Sequence, residues 1–138
     1  MKQAVTDAAR VTTPSSTALV IVYALVALYG TLAGWVGVAT LDVVGGPTWA
    51  LLWPILTVFF AVAAIAGVLI SRRYGQTSFE LVTTLLLIAL LVGYALAIVV
   101  RTEFDGNMSR LPVAVLPVAL SVHPFARLVR IARGVVMR

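Results

Sequence analysis

The chain has 138 residues, of which 62% are apolar and 11% charged, with a formal charge of +5 and no Cys. An ordinary soluble domain carries roughly 25% charged residues, so the composition argues against a soluble globular enzyme. The lack of Cys excludes a disulfide framework and thiolate chemistry. The basic residues stand at the ends of apolar runs, where they meet lipid headgroups and set orientation rather than bind nucleic acid.

The first element follows a short polar stretch ending in Thr12-Thr13-Pro14-Ser15-Ser16. From Thr17 to Leu41 there are 25 residues without Lys, Arg, Asp or Glu. At 1.5 Å of rise per residue this crosses a hydrocarbon core of roughly 30 Å. It is too long for the h-region of a cleaved signal peptide, which has about 7–15 residues. A lipid anchor is not expected either, because Lys2 follows Met1 and there is no Cys to acylate. Within this span Ala27, Gly30, Gly34 and Gly37 recur at helical spacing, and Gly30 with Gly34 forms a GxxxG. Such a stripe lets two helix backbones approach closely. It serves either packing within the chain or self-association of copies.

Asp42-Val43-Val44-Gly45-Gly46-Pro47 reads as a tight turn, with Asp42 capping the end of the first span. The second span is expected over residues 48–71, with Ala63 and Gly67 as a further small-residue pair. Ser71-Arg72-Arg73-Tyr74-Gly75-Gln76 is the next turn, and Thr77 with Glu80 fits a capping box opening the third helix, expected over 79–100. Ala89, Gly93 and Ala97 repeat the small-residue pattern there. Arg101 to Arg110 reads as a solvated, charge-balanced loop around Asp105-Gly106-Asn107.

The fourth span, expected over 110–126, is the weak one. On an insertion scale the 13 Leu, Ile, Phe and Val residues of Leu81–Val100 contribute roughly 4–8 kcal/mol, and the eight of Leu111–Ala126 roughly 2–5. It also carries Pro112, Pro117, Pro124 and His123. Pro117 lacks an N–H mid-span and is expected to kink the helix. Beyond lies a basic amphipathic segment, 125–138. Its Arg127, Arg130, Arg133 and Arg138 project on one face, suited to the anionic inner surface of a membrane.

Counting Lys and Arg orients the chain. With four spans, Lys2, Arg10, Arg72, Arg73, Arg127, Arg130, Arg133 and Arg138 fall on one side, against Arg101 and Arg110 on the other. The positive-inside rule then places both termini in the cytoplasm. The expected architecture is an all-α, single-domain, integral membrane four-helix bundle of a bacterial inner membrane. Its N and C termini lie inside, and its C-terminal helix is basic and amphipathic.

Chemistry finds little purchase. His123 is the only His, Glu103 and Asp105 stand beside Arg101 and Arg110, and the charge-free spans offer no intramembrane carboxylate for coupled transport. No catalytic, cofactor or metal site is expected, and no nucleic-acid partner. The Glu of the first span on which small multidrug exporters depend has no counterpart in Thr17–Leu41. A passive channel lined by Thr31, Thr40, Thr57, Thr83, Thr84 and Ser121 remains an open alternative.

Nine of the ten basic residues are Arg, and Ala, Val and Gly outweigh Ile, a bias similar to coding in GC-rich bacteria and their phages. In helix count, length, short turns and the basic tail Arg127-Leu128-Val129-Arg130-Ile131-Ala132-Arg133, the chain resembles the small four-span membrane proteins that such phages encode, holins among them. The resemblance implies self-assembly into a membrane lesion. The other reading is a non-catalytic accessory subunit of a bacterial membrane complex.

Overall fold

Four helices follow one another along the chain: α1 (Ser16–Val36), α2 (Ala39–Tyr74), α3 (Ser78–Asp105) and α4 (Leu111–Val136). The computed structural model describes residues 16–37, 39–106, 108 and 111–136, and the helices within them are long and apolar enough to cross a membrane. Lys2, Arg10, Thr12 to Ser15, Asn107, Arg110 and Arg138 lie outside the described residues. The architecture is all-helical and fits a multi-pass membrane protein.

The helix ends differ from expectation where glycine decides them. α1 stops at Val36, because Gly37 takes φ +85° and donates its N–H to Ala33 O at 2.9 Å. That left-handed cap is cheap only without a Cβ. The first turn is therefore at Gly37, and the expected loop Asp42–Pro47 is largely helical. Asp42 lies in the first turn of α2, where a carboxylate suits the positive end of the helix dipole, rather than at the end of α1. Only Gly46 (φ 81°, ψ 170°) breaks the helical path, and Pro47 restarts it. The third connector is also shorter than expected. α3 runs on to Asp105 and ends at Gly106 (φ 64°), with an i,i+4 ion pair from Arg101 Nε to Asp105 Oδ2 at 3.1 Å.

Successive helices pack side by side, α1 on α2, α2 on α3 and α3 on α4, with a lighter contact between α1 and α4. The buried residues of α1 are Leu19, Tyr23, Val26 and Gly30, and those of α4 include Ala114, Pro117, Ser121, Pro124 and Ile131. The α1 set steps by three and four and the α4 set by three, four and seven, the spacing of a single seam on a helix. Two apolar clusters result. One, at the end bearing the α2–α3 turn, joins Leu19, Tyr23, Val26, Ala61, Ala64, Val68, Leu87 and Leu91. The other, at the opposite end, joins Leu41, Trp53, Tyr94, Ala95, Ile98 and Ala114.

α4 is one helix through Pro117 and Pro124, and the basic segment continues along its axis rather than forming a separate element. Both prolines are buried against the protein rather than turned to the outside.

Candidate functional site

A buried charge pair holds the α2–α3 turn end together. Glu80, in the first turn of α3, is fully buried, and Arg127 of α4 is about one-third exposed (side chain 34%). Arg127 Nε donates to Glu80 Oε1 at 2.8 Å and a terminal guanidinium nitrogen donates to Oε2 at 3.3 Å. This is the two-pronged geometry that a planar guanidinium offers a carboxylate. One helix turn further along α3, Thr84 Oγ1 and the Tyr23 hydroxyl of α1 share a hydrogen bond of 3.0 Å. On the α2 side, Gly67 makes room: a Cβ there would stand 2.9 Å from Glu80 Cα. All four helices thus meet around Glu80.

Two sequence expectations change here. The Thr77–Glu80 capping box does not form. Thr77 has helical φ and ψ, makes no side-chain cap, and its carbonyl accepts the Leu81 N–H at 2.9 Å. The carboxylate turns instead to Arg127, whose full charge makes a stronger partner than a backbone N–H. Arg127 accordingly does not stand with the other arginines as a headgroup contact. It turns inward on the side of Pro124 and Ile131, while Phe125 faces outward. Arg130 is half-buried, Arg133 exposed. The pairing joins residues 47 apart in sequence, and the only signal for it was a carboxylate and an arginine at the same end of two antiparallel helices.

The small-residue stripe of α1 is divided. Gly30 is buried against α2, where a Cβ would meet Val58 Cγ2 at 3.0 Å, Thr57 Cγ2 at 3.2 Å and Pro54 O at 3.3 Å. Ala27 is half-buried beside it. Gly34 is exposed, and a Cβ there would meet Pro54 Cβ at 3.4 Å, while Gly37 lies past the helix end with open space where a Cβ would stand. Between α1 and α2 this leaves an apolar groove of about 680 Å³, floored by Gly30, Gly34 and Pro54 and walled by Leu51, Ile55 and Phe59. A smaller groove of about 280 Å³ lies between α2 and α3, along Ala89, Gly93 and Ala97. It borders an aromatic junction in which the Trp53 ring lies 4.4 Å from Tyr94 and 6.2 Å, edge-on, from Tyr29. Trp53 Nε1 donates to Leu90 O at 3.1 Å, so its one polar group is satisfied within the apolar junction.

Of the hydroxyls considered as channel lining, Thr31 lines the α1–α2 groove and the others line neither groove. Thr31, Thr57, Thr83 and Ser121 donate to carbonyls of their own helices, and Thr84 is engaged by Tyr23. His123 is exposed on α4. Among the described residues no three His, Cys, Asp or Glu come together as a metal site, and no buried side-chain polar atom lacks a partner. No family model matches the chain, and no curated protein or solved structure matches it.

Proposed function

We propose that this chain is a non-catalytic integral membrane protein of the bacterial inner membrane that acts by association of its helices in the bilayer. In the holin-like form of that reading, copies assemble into a lesion. The observation that carries it is the outward side of α1. The outer helices α1 and α4 are each less buried within the chain than α2 and α3, and of these two it is α1 whose open face borders the apolar groove beside Pro54. Apolar faces gain nothing by leaving lipid for one another, so helix association in membranes depends on close backbone approach at small residues. Gly34 supplies such a place.

Both termini lie inside in this reading. Exposed Arg72, Arg73 and Arg133 then share the cytoplasmic side, where the anionic inner leaflet is their partner. Arg138 extends the same charge in sequence.

A second reading has its own support. Gly30, half of the GxxxG, is already occupied by α2, which favours the stripe as internal packing and the chain as an accessory subunit of a membrane complex. Gly34→Ile separates the two, because it fills the groove while leaving the tight Gly30 contact untouched. For the holin-like reading, the unaltered chain runs as an oligomer in mild detergent and depolarises cells abruptly after induction. The variant inserts normally, runs at lower mass and leaves the potential intact. A harmless, monomeric unaltered chain overturns that reading in favour of the accessory one.

A further inference from the structure

We propose that Glu80 is the residue that makes α4 a membrane span, by neutralising Arg127 inside the bilayer. Arg127 lies 15 residues after Pro112, where the apolar window of α4 begins. That is about 22 Å along the helix axis, short of the roughly 30 Å needed to clear a hydrocarbon core. A charged arginine short of the far edge opposes insertion and subtracts from the small apolar gain of so weak a span. The geometry removes the penalty. Glu80 comes from the start of α3 and Arg127 from the far part of α4, so the pair closes an antiparallel hairpin. Both carboxylate oxygens are taken by the guanidinium, and the carboxylate itself is shut away from its surroundings. The pocket that receives it is prepared from the other two helices, by Gly67 at the Glu80 backbone and by the Tyr23–Thr84 bond beside it. α4 therefore enters the membrane with α3 rather than alone. The charge pair, not its apolar content, decides that the residues after α4 lie on the same side as the α2–α3 turn. Glu80 is a positioning residue in this scheme, and the inference does not depend on what the assembled protein does.

Because the chain has no Cys, a single Cys appended after Arg138 reports its side by labelling with a membrane-impermeant maleimide in intact and in opened cells. Asn107→Cys, in a separate full-length chain, gives the reference for the opposite side. In the unaltered background the appended Cys labels on the side opposite to the Asn107→Cys reference. Glu80→Gln leaves Arg127 charged and without its carboxylate, and lowers the fraction with that sidedness about tenfold. Combining Glu80→Gln with Arg127→Gln removes both charges and restores the fraction to within about twofold of the unaltered chain, since a neutral pair of similar volume carries no such penalty. The restoration is the deciding readout, because a defect in packing or folding caused by Gln at position 80 would persist in the double variant. Unchanged sidedness in the Glu80→Gln chain overturns the proposal, and so does a double variant as impaired as the single one.

Discussion

Gly67 and Gly93 show how one residue type carries opposite weight in neighbouring helices. A Cβ on Gly67 would sit 2.9 Å from Glu80 Cα, and backbone cannot swing aside as a side-chain tip can, whereas a Cβ on Gly93 meets nothing within 4 Å. Gly67→Ala is therefore expected to push α2 off α3 and destabilise the protein by about 1–3 kcal/mol. Gly93→Ala only fills space at the groove and gains helix propensity, so it is expected to be neutral or stabilising by up to about 1 kcal/mol. Thermal unfolding of the two variants in mild detergent checks both signs. Equal effects would mean that α2 and α3 are not in close contact at Glu80. The small-xxx-small pattern in the sequence contains both glycines without distinguishing them, because the distinction lies in what another helix brings to each.

Among the elements, α4 depends most on its neighbours. Its buried seam of Ala114, Pro117, Ser121, Pro124 and Ile131 is short of large apolar side chains, and two of its members lack an N–H. Pro117→Leu is expected to act in opposite directions in two settings. In an isolated α4 segment it restores a backbone hydrogen bond and adds apolar surface, so insertion becomes more efficient. In the full chain Pro117 is buried, and a longer side chain there overfills the seam and lowers thermal stability by about 1–3 kcal/mol. Segment-insertion assays and unfolding in detergent measure the two effects separately. No gain in insertion would show that Pro117 does not limit this span.

At the scale of the whole molecule, orientation rests on charge. Exposed Arg72 and Arg73 mark the α2–α3 turn, and Arg133 the far end of α4. Reporter fusions after Gln76 and after Arg138 are expected to give cytoplasmic signals, and a fusion at Gly106 an exterior one. An exterior signal after Arg138 together with a cytoplasmic one after Gln76 would leave α4 outside the span count.

The helical, membrane-spanning character of the chain was legible in its residues alone, because long charge-free runs admit few structures when backbone polar groups must be satisfied without water. The turns at Gly75 and Gly106 were legible too, as local chemistry: both take positive φ where a helix must end. Gly37 was harder, since a glycine in an apolar run reads equally as helix interior, packing surface or terminus, whereas Gly46 stood in an expected turn and is the one residue there that leaves the helical path. Which of the α1 glycines lies against α2 was decided only by tertiary packing. So was the fate of Glu80, which local pattern assigned to a capping box and which the fold gave to an arginine 47 residues away. A charged group buried in a low-dielectric interior takes the strongest opposite charge within reach, and reach across helices is a property of the folded chain.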